Sequence, residues 1–137
     1  PYIEGAIDYV KCLKQQGVPT AIVTSSDKYK MERLYSAHPD FHQLFNIILT
    51  AEDSFRSKPA PDCYINAAKC LGVTPKACVV FEDSLNGLKA ARDSGAYVVG
   101  VATSLCQEEI ASLCDMSICN FSSDERLKSC IDRLFSN

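Results

Sequence analysis

Ile3, Ile7, Val10 and Leu13 recur at the three- and four-residue spacing of one helical face, and Gly17 follows as a stop. The next apolar stretch has a different rhythm. Residues 20–24 form a short continuous run rich in β-branched side chains, bounded by Ser25, Ser26 and Asp27, which is the pattern of a strand buried on both faces. Ser26 or Asp27 is placed to cap a second helix, whose apolar side carries Met31, Leu34 and Tyr35 and which Pro39 ends. Residues 46–50 read as a second strand. A polar loop over 52–61 then leads to a helix predicted over 62–71, with Pro61 suited to its first turn and Gly72 closing it.

The second half repeats this alternation. Residues 77–81 read as a third strand running into Glu82-Asp83-Ser84, and Leu85, Leu88 and Ala91 before Ser94-Gly95 mark a helix. Residues 97–101 are a fourth strand. Ser104 with Gln107 forms a capping-box pattern ahead of a helix carrying Ile110 and Leu113. Residues 116–119 make a short fifth strand, and Ser122 with Glu125 is a second capping box before a helix ending near Phe135. Strands separated by helices of about ten residues predict βαβ units, hence an α/β fold with a Rossmann-like parallel sheet and helices on both faces.

The chain is 137 residues long, the size of one domain, and its 47% hydrophobic and 23% charged residues are ordinary for a globular protein. Lys and Arg total 14 against 17 Asp and Glu, a net charge of −3, which argues against a nucleic-acid partner. No apolar run approaches the roughly 20 residues of a membrane span. Eight cysteines include no Cys-x-x-Cys pair and no zinc-knuckle spacing, and most lie in apolar periodic stretches. They are predicted to be buried or half-buried thiols in a reducing compartment, the cytoplasm. His38 and His42 are four apart, but Pro39 breaks the helical register between them, so they are expected in a loop.

In a parallel sheet the carboxyl ends of the strands share one edge, and ligands bind there. The first strand ends in Thr24-Ser25-Ser26, the second leads to Ser57-Lys58-Pro59, and the third ends in Glu82-Asp83. Hydroxyls and an ammonium donate to phosphate oxygens, and adjacent carboxylates repel one another unless a hard cation such as Mg2+ offsets them. Each piece alone has an ordinary explanation: a helix cap, a solvated loop lysine, a pair of turn formers. In this order, each after a strand, they make a phosphate-and-metal constellation. Asp27, Asp53 and Arg56 flank it as solvated loop charges.

The strings Ala21-Ile22-Val23-Thr24-Ser25-Ser26, Ser57-Lys58-Pro59-Ala60-Pro61-Asp62 and Val79-Val80-Phe81-Glu82-Asp83-Ser84-Leu85-Asn86-Gly87 resemble motifs two, three and four of the haloacid dehalogenase-like hydrolases. The branch resembled is that of the β-phosphoglucomutase-like sugar-phosphate phosphatases, from Pro1 to about Ser122. The resemblance implies that Thr24, with Ser25 beside it, binds the transferring phosphoryl group. Lys58 would neutralise its charge and position the nucleophile, and Asp83 would ligate Mg2+ with Glu82 assisting. Gly87 would let its helix pack closely on the sheet.

The family's first motif, an Asp-x-Asp after the first strand, has no counterpart here, because Glu4 and Asp8 lie in the opening helix. The resemblance therefore implies that residues 1–137 are the C-terminal part of a larger protein, without the nucleophile strand and the helical cap. That strand belongs between those ending at Thr24 and Glu82, which are expected either to pair directly or to leave a gap. The implied activity is Mg2+-dependent hydrolysis of small phosphorylated metabolites such as sugar or nucleoside phosphates by the parent protein, with none from this chain alone. A phosphomutase and a non-catalytic binding module are the alternatives.

Overall fold

A computed structural model describes residues 4–103, 105–122 and 125–135. Its elements alternate as the pattern predicts: α1 (Ala6–Gln15), β1 (Ala21–Val23), α2 (Lys28–Ala37), β2 (Ile47–Leu49), α3 (Asp62–Cys70), β3 (Val79–Glu82), α4 (Leu85–Ser94), β4 (Tyr97–Val101), α5 (Gln107–Ile110), β5 (Met116–Ile118) and α6 (Arg126–Phe135). Every strand pair is parallel. β1 pairs with β2, and β3, β4 and β5 form a second group in that order. β1 and β3 share no ladder, so of the two outcomes anticipated for these strands the gap is the one realised.

Side-chain alternation along β3 and β4 assigns the helices to two faces. Val80 and Val98 pack with Cys63 and Tyr64 of α3 and with Leu88, Ala90 and Ala91 of α4. Phe81, Val99 and Val101 pack on the other side with Tyr9 of α1 and with Leu127 and Cys130 of α6. Glu82 shares the parity of Val80 and so faces α3 and α4. The small residues Ala90 and Ala91, both fully buried, let α4 lie close to the strands. At Gly100 a Cβ would stand 2.8 Å from Ile110 Cδ1, which is why β4 carries no side chain where α5 crosses it.

The helix starts follow local hydrogen bonding. Asp27, one of the two expected caps, accepts the Lys30 N–H at 2.8 Å to open α2, and Ser84 accepts the Gly87 N–H at 3.0 Å to open α4. The cap of α5 differs from the expected Ser104–Gln107 pair. Cys106 is its N-cap, and the Glu109 carboxylate takes the Cys106 N–H at 3.0 Å. A carboxylate accepts such a bond more strongly than an amide, and that bond holds the Glu109 carboxyl below its usual range. Ser104 lies outside the described residues, as do Pro1 to Ile3 and 123–124. α6 begins at Arg126, directly after Glu125.

The cysteine expectation needs a correction. Cys63 and Cys130 are buried and Cys78 and Cys114 half-buried, but Cys12, Cys70, Cys106 and Cys119 are exposed. Cys12 neighbours the buried Leu13 and so points off the packed stripe of α1, and Cys70 ends α3. No disulfide joins these thiols. His38 closes α2, and His42 sits edge-on to Tyr35 at 5.3 Å in the short turn Phe41–Leu44.

Candidate active site

The chain leaves β1 through a turn made by its own side chains. The Thr24 N–H donates to Leu49 O at 3.0 Å, holding it to β2, while Thr24 Oγ1 accepts the Ser26 N–H at 3.0 Å. The hydroxyl proton is thereby left for another acceptor. Ser25 follows directly and lines an open cleft of about 570 Å³, shared with Lys58, Asp83, Ser84, Leu85 and Asn86.

The loop after β2 is organised by carboxylates. Asp53 Oδ2 accepts the Thr50 N–H at 2.7 Å and the Thr50 hydroxyl at 3.1 Å, and the amide bond is the main reason the Asp53 carboxyl lies below its ordinary value. Arg56 then grips Asp62 through two bonds, Nη2 to Oδ1 at 2.8 Å and Nε to Oδ2 at 3.2 Å, which lowers the Asp62 carboxyl as well. This pair closes the segment that carries Lys58 and sets the start of α3. The Lys58–Pro59 peptide within it is cis.

Lys58 reaches across the gap between the strand groups. Its Nζ is 3.3 Å from Val23 O on β1 and 2.5 Å from Glu82 Oε2 on β3, and its side chain is only 13% exposed. An ammonium has three donors, so two are committed inside the protein and one is left for the cleft that Lys58 also lines. Glu82 is a buried carboxylate, 8% exposed, whose desolvation is offset by this pairing. Its Oε2 accepts a second hydrogen bond from the Tyr64 hydroxyl, and the Ser84 hydroxyl stands 3.4 Å from Oε1. Burial first, then the neighbouring Glu82 charge, pushes the Tyr64 phenol far above its ordinary value, so it stays a donor. Asp83, next in sequence, turns out to solvent at the cleft, with the Thr103 hydroxyl 3.4 Å from its Oδ2.

The structure therefore brings Ser25, Lys58 and Asp83 to one cleft and Glu82 into contact with Lys58 behind it. Thr24 stands one residue back, in the turn. The two consecutive carboxylates have separate surroundings. Two features escaped the sequence reading. Tyr64 was not singled out, although a phenol on a buried helix face signals a partner for its O–H. Gly87 does more than let a helix approach a sheet: a Cβ there would overlap the carboxylate of Glu82.

A family model for haloacid dehalogenase-like hydrolases matches residues 2–95, a span that includes Thr24, Lys58, Glu82 and Asp83. The chain belongs to the haloacid dehalogenase-like hydrolases. Within that family it is 34% identical over 109 residues to the validoxylamine A 7'-phosphate phosphatase of Streptomyces hygroscopicus subsp. limoneus, covering 80% of this chain and 51% of the relative. Its fold matches a haloacid dehalogenase-like hydrolase of family IA, variant 3, from Entamoeba histolytica, with a TM-score of 0.86, 30% identity and coverage of 98% of this chain and 61% of that one. CbbY from Rhodobacter sphaeroides, solved in complex with phosphate, superposes with a TM-score of 0.77 at 28% identity, covering 88% of this chain and 55% of that one. The chain spans about half or less of the length of the curated relatives it matches.

Proposed function

We propose that this chain is the phosphate-handling part of a Mg2+-dependent phosphomonoester hydrolase acting on small phosphorylated metabolites, such as sugar or nucleoside phosphates. The observation that carries the reading is Lys58, held at its base by Glu82 and Val23 yet opening to the cleft of Ser25 and Asp83. A fixed ammonium with one uncommitted N–H, beside hydroxyl donors, is suited to the equatorial oxygens of a transferring phosphoryl group, where catalysis is mostly positioning and electrostatics. The phosphatase named above acts, by its name, on a phosphorylated small molecule, which supports the substrate class.

Of the two consecutive carboxylates, Asp83 is the one that fits magnesium: it is a hard oxygen donor facing solvent at the cleft, and Mg2+ keeps several waters of its own, whereas Glu82 is engaged by Lys58 and Tyr64 behind the cleft. Bound there, the ion would offset charge on the phosphate. In this reading Lys58 orients one phosphate oxygen, and Thr24 and Ser25 donate to others.

The nucleophile is assigned to an Asp-x-Asp segment upstream in a longer gene product, its strand lying between the unpaired edges of β1 and β3. That product would form and hydrolyse an aspartyl-phosphate, while the 137-residue chain alone turns nothing over. Exposed thiols without disulfides are compatible with the reducing cytoplasm, and a net charge of −3 with a nucleotide-sized rather than polymeric substrate.

The test is p-nitrophenyl phosphate hydrolysis with and without Mg2+. The longer product should be active only with the metal, and Lys58→Met should lower kcat/KM about 100- to 1,000-fold, the scale of one lost transition-state donor. Robust Mg2+-dependent turnover by the isolated chain would sink the nucleophile assignment, and an inactive longer product would sink the reading itself.

A further inference from the structure

We propose that Tyr64 is a positioning residue that sets where the Lys58 ammonium stands; this rests on the reading of Lys58 as the phosphate-binding cation. Tyr64 is 8% exposed and touches the ion pair in two ways. Its hydroxyl donates to Glu82 Oε2, the same oxygen that accepts Lys58, and its ring lies below the Lys58 ammonium at 5.1 Å from Nζ to centroid. One side chain thus holds the carboxylate by a hydrogen bond and the cation by its π face.

The frame around it is equally constrained. Lys58 and Tyr64 sit six residues apart in one loop-and-helix unit, whose start is closed by Arg56 and Asp62. Glu82 comes from the facing strand, and its carboxylate lies flat against the Cα of Gly87, where a Cβ would overlap both oxygens. Gly87 gives the carboxylate this berth, and Tyr64 and Lys58 pin it there. With Oε2 fixed by two donors, the ammonium between Val23 O and Glu82 has one place to stand, and its remaining N–H has one direction. Losing the phenolic hydroxyl leaves the ring and its volume but frees the carboxylate to rotate, and the ammonium follows. A displacement of about 1 Å at a group that positions the reacting atoms can cost about a hundredfold in rate.

A merely structural tyrosine would give a stability change and nothing more, so the test reads Lys58 directly. In this chain labelled with 15N-lysine, the Lys58 ammonium signal, assigned by its loss in Lys58→Met, should be seen because its protons are shielded and hydrogen-bonded. In Tyr64→Phe, folding being checked by melting temperature, its exchange with solvent should rise about tenfold, as expected for weakening a charge-assisted bond, with the other lysines unchanged. No Lys58 signal in the parent chain, or identical exchange in Tyr64→Phe, overturns the proposal. In the longer gene product, Tyr64→Phe should lower kcat about tenfold and move KM less than about threefold, because the lost alignment matters most in the transition state. An unchanged kcat also overturns it. Should the longer product prove inactive, the phosphatase reading falls, and the exchange measurement still decides the role of Tyr64.

Discussion

At the scale of single residues, the buried pair of Lys58 and Glu82 governs both stability and chemistry. Their side chains are 13% and 8% exposed, so removing either one leaves a charge in the interior without its partner. Lys58→Met and Glu82→Gln should each destabilise by about 3–5 kcal/mol, and the double variant by clearly less than the sum, in urea unfolding at neutral pH. Gly87 supplies a sharper test. Alanine is the better helix former, yet Gly87→Ala should cost about 1–3 kcal/mol, because the overlapped carboxylate is pinned by Lys58 and Tyr64 and cannot step aside. In a Glu82→Ala background the sign should reverse, with alanine gaining up to about 1 kcal/mol. The same penalty in both backgrounds would place the clash elsewhere. That Lys58 and Asp83 meet at one sheet edge was legible from strand order and residue chemistry, whereas the turn of Glu82 away from Asp83 and onto Lys58 was not. Nor was Tyr64, because periodicity records that a helix face is buried without recording which buried ring carries a polar tip.

Among the elements, the loops that present the site depend on short-range carboxylate bonds, and these impose a pH signature. Asp53 caps the turn after β2 and is depressed below its ordinary 3.8, chiefly by the Thr50 amide. A depressed folded value means that its stabilisation is complete above the unfolded value and is lost as pH falls through the folded one. The gap in urea midpoint between the parent chain and Asp53→Asn should therefore be constant from about pH 7 to 5 and close below about pH 3.9. A gap that widens in acid would contradict this sign. Element order and type were legible from the switch between helical spacing and continuous apolar runs. Boundaries were less so: the α5 cap moved from Ser104 to Cys106 because Glu109, not Gln107, supplies the reciprocal bond.

For the whole molecule, the sequence pattern predicted parallel strands but left the relation of β1 to β3 as two alternatives, since hydrophobic runs do not say which edges meet. The structure has two strand groups with no ladder between them, tied by Val23 packing into the α3–α4 core and by Lys58 bonded to both Val23 O and Glu82. The groups differ in burial. β4 runs between two partners with Val98, Val99 and Val101 at most 2% exposed, whereas every residue of β1 is half-buried. Opening should therefore begin at β1 and β2. Native-state hydrogen exchange should find the Thr24 and Asn46 amides, bonded to Leu49 O and Thr20 O, exchanging well before those of Tyr97 and Ala102, bonded to Cys78 O and Ile118 O. Lys58→Met should widen that difference, because it removes the polar tie from the smaller group. If all four amides speed up together in the variant, the two groups open as one cooperative unit, and Lys58 contributes to global stability rather than holding the seam.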